Sequence, residues 1–491
     1  MKILVTAEYV SGAVSEGGSG RFMKCVIDEL ESLGHDVTAT STPDGSGEYD
    51  FIIVSHHDQF EAIKDNPAHK VYISHGIVAD ERFLPGADKY ISISEEVRTV
   101  RLTQGISSVI VSQPVEILKQ IKPSAELRKI LIIKSASTVD EPFNFLNDKY
   151  DVRMSDPSTP IEDQIKWADL CITLGRGVID SMAQGKPVLV ADQRDYMGPL
   201  GDGYVNKENI KEIARCNFSG RRYNHEPTQE WVESELEKYN ADDSDFLYQY
   251  VTEKHDVKKI ASRYIYNPSF SFGAITNDAY RMNTVLLKSA LPGEVHYDTN
   301  PESATAGLNR ILDVIDKEGS DIAVLAHQDM YFRSWWLAAA RNQLSMLPDS
   351  WVVAGIVGKD MHGRICGNIH DMRIVNYINT GSVHEFPEPA ASFDECVIIV
   401  NMKTGFRFDE SLDGFDLYGT LCVLQAWEMG GTAWVVDAFA EHYCMRPFTW
   451  FPDDDFKARY KVLYDRFNDR WGTVDSTVFV NRPRFETSAA A

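Results

Sequence analysis

Short runs of β-branched residues alternate with segments of helical periodicity through the first half of this chain, and no other pattern limits its fold so strongly. The apolar run Lys2–Thr6 is followed by a glycine-rich loop at residues 16–20, and apolar residues then recur at helical spacing from Phe22 to Leu30. A strand, a glycine loop and a helix in this order are typical of a parallel α/β sheet. We therefore predict a Rossmann-like unit over residues 1–118.

The same alternation continues beyond this unit. Further strands are expected at 51–54, 71–74, 90–93 and 109–111 in the first unit, and at 129–133, 170–173 and 187–191 in a second, with a helix across 178–184. The acidic, polar stretch 227–258 is interpreted as a helical return or a linker. A second Rossmann-like unit is thus assigned to residues 119–257.

A third unit is predicted over residues 258–475, with a tail at 476–491. Strands are expected at 270–276 and 322–326, with an intervening helix whose apolar face includes Leu308 and Ile315. Further strand patterns occur at 351–357, 396–400 and 434–436. The fold class predicted for the whole chain is therefore α/β.

Charge excludes one broad class of partner. The 491 residues include 49 Lys plus Arg against 73 Asp plus Glu, which gives a net charge of −24 and argues against nucleic acid or an anionic membrane as the main partner.

The seven cysteines form no C-x-x-C pair, and no apolar run is long enough for a transmembrane segment. A cytoplasmic location is predicted, with peripheral attachment to the inner membrane face left open. The oligomeric state is not fixed by these patterns.

The most informative motif is His327-Gln328-Asp329, which directly follows the strand expected at 322–326. Ligands bind at the carboxyl ends of strands in open α/β sheets, and a carboxylate there can hold a divalent ion that neutralises a diphosphate leaving group. Asp329 is the predicted metal ligand. The alternative interpretation is a pair that only caps the loop.

Residues 268–445 resemble a GT-A glycosyltransferase of the family 2-like group that includes streptomycin-biosynthesis-type proteins. The resemblance is carried by the Asn309 helix, the segment around His327-Gln328-Asp329, the stretch 405–419 and the strand ending at His442. It implies that Asn309 and His327 lie on the donor side, and that His442 joins Asp329 as a metal or diphosphate ligand. It further implies that Asn277 and Asp278, just after the first strand of this unit, contact the nucleoside.

The catalytic base departs from the pattern of related transferases. These carry an acidic residue directly after a Tyr-Gly pair, whereas this chain reads Tyr418-Gly-Thr-Leu-Cys422. A general base must lie within hydrogen-bond reach of the acceptor hydroxyl. Asp413 and Asp416 are the candidates, with Asp416 preferred, and solvated turn residues are the alternative interpretation of both.

Residues 1–257 resemble a compact GT-B glycosyltransferase of the family 4 type. Gly17 and Gly18 match its acceptor-side glycine loop, and residues 175–188 match the segment that holds the nucleotide. This resemblance implies that Asp180, in place of the usual Glu, grips the ribose. The residues that would face or neutralise the diphosphate are Gly175, Arg176, Gly177 and Lys134.

This second resemblance also has a departure, because Ile172 stands where an acid would contact the donor sugar. Taken together, the two resemblances predict a glycosyltransferase of bacterial-type surface polysaccharide synthesis that acts by direct displacement with Mn or Mg. Its donor is a nucleotide-diphospho-sugar, with UDP favoured, and its acceptor a glycan or lipid-linked glycan. The GT-B half is either a second transferase or a degenerate acceptor-binding module. A Rossmann oxidoreductase is disfavoured because the first glycine loop lacks the G-x-G-x-x-G spacing.

Overall fold

The computed structural model describes residues 1–8, 17–134, 138, 143–194, 198–371, 378–379, 386–444 and 453–471, so the predicted tail lies outside it. The chain forms two compact units, Met1–Ile265 and Tyr266–Ala491. The boundary predicted after residue 257 would detach the helix Val257–Ile265 from the first unit. That helix packs on the first helix of the chain, and its Tyr264 is buried in the same core as Ile3, so it belongs to the first unit.

The first unit contains two sheets, of which the first is entirely parallel. Its strands follow the order β2-β1-β3-β4-β5-β6. Their bounds are β1 Lys2–Thr6, β2 Asp36–Thr40, β3 Phe51–Ser55, β4 His69–Ser74, β5 Lys89–Ser92 and β6 Val109–Ile110, with helices α1 Gly17–Ser32, α2 His57–Ile63 and α3 Glu95–Thr103. The central strands are buried on both faces, which explains their continuous apolar runs.

The second sheet of this unit has the order β11-β10-β9-β7-β8, with β11 antiparallel to β10 and the other pairs parallel. Its strands are β7 Lys129–Ile132, β8 Asp151–Met154, β9 Leu170–Thr173, β10 Val188–Arg194 and β11 Gly198–Tyr204. The helices are α4 Ile161–Trp167, α5 Arg176–Met182, α6 Ile210–Arg215, α7 Gln229–Leu236, α8 Asp243–Lys254 and α9 Val257–Ile265. The helix predicted at 178–184 therefore begins two residues earlier, directly after Gly175, whose φ of 57° breaks the chain direction.

The second unit is built on a large mixed sheet. Its order is β13-β12-β14-β21-β16-β22-β20-β17-β18-β23-β15, and β19 pairs with β18. The strands are β12 Phe270–Thr276, β13 Val295–Thr299, β14 Ile322–Ala326, β15 Met330–Tyr331, β16 Trp351–Gly355, β17 Val357–Asp360, β18 Ile365–Asp371, β19 Ile378–Asn379, β20 Glu388–Phe393, β21 Val397–Asn401, β22 Thr432–Val435 and β23 Ala440–His442. The helices are α10 Ala279–Thr284, α11 Ala304–Glu318, α12 Trp336–Leu344, α13 Tyr418–Glu428 and α14 Asp454–Trp471.

One strand prediction in this unit is wrong. The apolar run 351–357 is divided at Ile356 between two strands, β16 and β17. The two strands have different neighbours, since β16 pairs with β21 and β22 whereas β17 pairs antiparallel with β18 and β20. An apolar run records burial but carries no information on which neighbour each half pairs with. The strands predicted at 396–400 and 434–436 are shifted to β21 and β22.

Helix α11 packs on strands β12 and β13 of the sheet in the second unit. The hydroxyl of Ser303 caps its first turn by accepting a hydrogen bond from Ala306 N–H, and Gly319 ends it with a φ of 76°. Gly307 lets the helix approach the sheet closely, because a Cβ there would lie 2.9 Å from Ile275 and 2.7 Å from Pro301.

Among the described helices, none has the length and apolar composition that crossing a membrane requires.

Candidate metal centre and its surroundings

In the second unit, the carboxyl ends of the neighbouring parallel strands β12 and β14 form a topological switch point. The chain passes from β12 to β13 on one side and then returns to β14 on the other side of β12, which leaves a crevice between the loops that follow β12 and β14. Asn277 and Asp278 follow β12, and His327 follows β14. The fold therefore brings the two predicted donor-side segments to one edge of the sheet.

Gln328 joins these two segments directly. Its Oε1 accepts hydrogen bonds from the Thr276 hydroxyl, from Asn277 N–H at 3.1 Å and from Asp278 N–H at 3.0 Å, while its Nε2 donates to Asn277 Oδ1 at 3.0 Å. The central residue of the His-Gln-Asp motif is thus structural. It locks the loop after β12 against the loop after β14.

Three side chains converge at this edge with the geometry of a metal site. One ligand atom from each of His327, Asp329 and His442 lies within 4.8 Å of the others. Met330 of β15 pairs with His442 of β23, and Tyr443 N–H donates to the Asp329 carbonyl at 2.8 Å, so a short antiparallel pair holds the ligands together. Donor atoms about 2.0–2.3 Å from a common ion would be separated by roughly 3–4.5 Å, and the 3.3 Å between Nε2 of His442 and Oδ1 of Asp329 lies in this range.

The imidazole of His442 is oriented as a ligand. Its Nδ1 lies 3.2 Å from Oδ2 of Asp371, which is buried on the adjacent strand β18. Its Nε2 is buried and lies 3.3 Å from Oδ1 of Asp329, with which it forms an ion pair when the ring is protonated. A carboxylate on one imidazole nitrogen that directs the other nitrogen inward is the usual arrangement around protein-bound metals. The residues therefore fit a divalent cation.

The charges of this cluster are strongly coupled. Burial by itself lowers the pKa of His442, but the carboxylates of Asp329 and Asp371 outweigh it and raise that pKa to about 10. Burial by itself raises the pKa of Asp329, but His442 and His327 hold it below its usual value. In the protein alone, a buried imidazolium supplies the positive charge that these carboxylates require.

Two further contacts position the ligands. The hydroxyl of Tyr418 lies 3.0 Å from Nε2 of His327, at the first residue of α13. Arg281 of α10 lies 3.4 Å from Asp329 and 3.3 Å from Asp278 through its guanidinium nitrogens. A cationic side chain is thereby placed between the two loops of the crevice.

The side-chain amide of Asn309 forms hydrogen bonds with the loop that precedes α13. Its Nδ2 donates to the Phe408 carbonyl and to Glu410 Oε1, both at 2.8 Å, and its Oδ1 accepts from Phe408 N–H at 2.8 Å. Both amide hydrogens are therefore used within the protein. In this arrangement Asn309 anchors the loop before α13, a role that the resemblance does not indicate.

The two carboxylates considered as the base have different environments. Asp413 is exposed, and Asp416 accepts a hydrogen bond from Nη2 of Arg459 at 2.6 Å. Arg459 was not predicted as a partner of Asp416, because it lies on α14, 43 residues further along the chain. Asp371, Arg281 and Glu395 were not predicted either, since none of them lies in a recognisable sequence motif.

The first unit has a comparable edge at its second sheet. Lys134 follows β7 and Gly175 follows the adjacent parallel strand β9, and the strand order reverses between them. Lys134 N–H donates to Ser155 Oγ at 3.2 Å. Gly177 must be glycine because a Cβ there would lie 2.3 Å from Thr173 Oγ1. The predicted diphosphate-facing residues therefore share one edge.

The carboxylate of Asp180 is fully engaged by arginines. Its Oδ1 accepts from Nε of Arg176 at 2.8 Å, one turn earlier on α5, and its Oδ2 accepts from Nη2 of Arg21 on α1. Gly18 of the predicted acceptor loop packs against this group, because a Cβ there would lie 3.3 Å from Cβ of Arg176. Gly17 is the first residue of α1, and Ile172 is fully buried in β9. These contacts tie the first sheet to the second.

Comparisons with known proteins found low-scoring similarities to solved structures. No protein-family model and no curated protein matches the sequence. Among solved structures, the chain is similar to GalNAc-T7 with UDP, GalNAc and Mn²⁺ (TM-score 0.28, 10% identity, 41% of this chain and 49% of that chain). It is also similar to TarM (0.31, 14%, 50% and 57%) and to a DNA-modifying beta-glucosyltransferase (0.31, 12%, 54% and 99%). The chain thus spans about half the length of GalNAc-T7 and TarM, and TM-scores of this size assign it to no family.

Proposed function

We propose that the second unit is a metal-dependent glycosyltransferase that moves a sugar from a nucleotide-diphospho-sugar to a glycan or lipid-linked acceptor. The observation that carries this proposal is the convergence of His327, Asp329 and His442 at the carboxyl edge of β12 and β14, with the buried Nε2 of His442 directed at Asp329. A cation at this crevice suits a ligand that carries a diphosphate. UDP is the favoured nucleotide, and bacterial-type surface polysaccharide is the favoured product.

Each residue of the crevice has a separate task in this proposal. His327, Asp329 and His442 hold the cation, which when bound neutralises charge on the departing diphosphate. Asn277 and Asp278, held by Gln328, face the nucleoside. Arg281, whose guanidinium lies 3.4 Å from Asp329, would pair with a phosphate oxygen.

The donor set distinguishes between the two predicted metals. Two imidazoles and one carboxylate suit Mn²⁺ better than Mg²⁺, because Mg²⁺ prefers oxygen ligands and keeps several waters. We therefore propose Mn²⁺ as the working ion.

For the first unit, we favour an acceptor-binding role over a second transferase. The carboxylate that would grip the ribose, Asp180, is occupied by Arg176 and Arg21, and the apolar Ile172 is buried where an acid would be needed. Rearranging this ion network to admit a nucleotide would leave two arginines without their carboxylate.

Calorimetric titration of UDP into the full-length protein tests the metal-dependent site. We expect binding with Mn²⁺ present and at least tenfold weaker binding when the metal is chelated. Asp329→Asn should abolish this difference, whereas Asp313→Asn, at an exposed position on α11, should leave it unchanged. Equal UDP binding with and without metal in the wild type would contradict the metal-dependent site, and GDP, CDP and dTDP would then be tested.

The same variant separates the two roles of the first unit. With nucleotide sugars and an acceptor mixture, Asp329→Asn should release no UDP if the chain has one transferase site. Continued formation of one sugar linkage by Asp329→Asn would instead show that the first unit is a second transferase.

A further inference from the structure

A partly buried glutamate stands beside the candidate metal centre in a place that no sequence motif marks. Glu395 lies in the turn between β20 and β21, and the carbonyl of the next residue, Cys396, accepts a hydrogen bond from His327 N–H at 3.0 Å. Oε1 of Glu395 accepts a hydrogen bond from Gly419 N–H at 3.4 Å. The residue before Gly419 is Tyr418, whose hydroxyl contacts the ring of His327. Glu395 is therefore linked to His327 in two ways, through the backbone of Cys396 and through the Tyr418-Gly419 pair at the start of α13.

The start of α13 is shaped to accept this carboxylate. A Cβ at Gly419 would lie 2.5 Å from the Phe393 carbonyl oxygen and 3.4 Å from Cδ of Glu395, so only glycine permits the close approach of the helix to the turn. Thr420 stands at the position where related transferases carry their acid. It is buried, and its hydroxyl oxygen lies 3.3 Å from that of Ser392. A carboxylate from the β20–β21 turn thus lies against Gly419, the residue before Thr420.

We propose that Glu395 is the catalytic base of the second unit, an inference that rests on the proposed glycosyltransferase function. In this step the Glu395 carboxylate takes the proton of the acceptor hydroxyl, and the acceptor oxygen forms a bond to the anomeric carbon of the sugar. The bond from that carbon to the diphosphate oxygen breaks, and its electron pair leaves with the nucleoside diphosphate. Water can replace the acceptor, in which case the donor is hydrolysed.

The neighbouring carboxylates are less suited to this step. Asp416 accepts a hydrogen bond from Arg459 at 2.6 Å, so this carboxylate already has a cationic partner within the protein, and Asp413 is exposed to solvent. Burial and the adjacent carboxylate of Asp394 instead raise the pKa of Glu395 to about 8. A base is most effective when its pKa lies near the working pH.

The test compares hydrolysis of UDP-glucose, UDP-galactose, UDP-N-acetylglucosamine and UDP-N-acetylgalactosamine by the full-length protein with Mn²⁺. In Glu395→Gln we expect kcat to fall by about 100-fold or more, while Mn²⁺-dependent UDP affinity stays within about threefold of wild type. Glu395→Asp should retain part of the activity, and Asp416→Asn should retain most of it. Infrared titration of the metal-free protein should show a carboxyl group that ionises near pH 8 and is lost in Glu395→Gln.

The outcomes separate this inference from the function on which it rests. Hydrolysis by the wild type together with unchanged kcat in Glu395→Gln would overturn the base assignment and leave the transferase intact. A large loss in Asp416→Asn with none in Glu395→Gln would assign the base to Asp416. Failure of the wild type to bind UDP or hydrolyse any nucleotide sugar would overturn the proposed function itself, and the base assignment with it.

Discussion

Nδ1 of His442 lies 3.2 Å from Oδ2 of Asp371, although 71 residues separate the two along the chain. The parallel pairing of β18 with β23 places them opposite each other, and the contact turns Nε2 of His442 toward Asp329. A carboxylate in this position fixes the tautomer of a ligating imidazole and increases its basicity. Asp371 is therefore expected to act on the metal through His442.

Replacing Asp371 with Asn should weaken Mn²⁺ binding by about 10- to 100-fold, because the amide orients His442 less firmly and removes a negative charge. Titration of Mn²⁺ into the full-length protein, followed by electron paramagnetic resonance of the free ion, measures this change. Asp313→Asn is the control, since its carboxylate pairs with Arg407 on an exposed surface. Identical Mn²⁺ affinities in the two variants would exclude a supporting role for Asp371.

Asn309→Ala should lower the free energy of unfolding by about 1–3 kcal/mol and leave the affinity for UDP unchanged. The substitution removes three hydrogen bonds to Phe408 and Glu410 and leaves the buried Phe408 N–H unsatisfied. Urea unfolding and UDP calorimetry measure the two quantities, with the exposed Asn283→Ala as control. A loss of UDP affinity at unchanged stability would favour the donor-side role that the resemblance implies.

Asp180→Asn should destabilise the first unit by about 3–5 kcal/mol, because it leaves Arg176 and Arg21 without the carboxylate that neutralises them. Hydrogen exchange of peptides from β9 and α5 measures the local effect. Asp28→Asn provides the comparison, since Asp28 pairs with Lys24 at the exposed surface and such pairs contribute about 1 kcal/mol or less. Similar exchange in the two variants would show that the buried network contributes little.

His255 should make the first unit less stable in mild acid. Burial, with smaller effects from Arg176 and Lys254, lowers its pKa to about 4, although its Nδ1 lies 2.9 Å from the Gln113 carbonyl. The unfolded chain, with a pKa near 6.5, therefore binds a proton more readily than the folded protein as the pH falls from about 6.5 to about 4. The stability contributed by neutral His255 is fully present above this range and is lost within it, by about 2 kcal/mol at pH 5.

Urea unfolding of the full chain at pH 7.5 and pH 5 measures this loss. His255→Asn keeps a donor to Gln113 and cannot titrate, so its midpoint should depend less on pH than that of the wild type. An equal pH dependence in both proteins would show that other groups cause the acid sensitivity.

The strands show how far local sequence could lead. The strands β1, β9, β12 and β14 have the bounds that their apolar runs predict, because strands that are mostly buried require such a run. The run that became β16 and β17 was predicted as one strand, since burial is local whereas strand pairing is decided by partners elsewhere in the chain.

The sequence by itself determined the α/β class and the loop positions at the strand ends, and it marked Asp329 as a candidate metal ligand. The tertiary structure decided which side chains meet: Asp371 with His442, Glu395 with Gly419, and Arg21 with Asp180, pairs that lie 71, 24 and 159 residues apart. Periodicity and short motifs report forces between chain neighbours, whereas the charge and orientation of a site arise from contacts that exist only after the sheets have assembled.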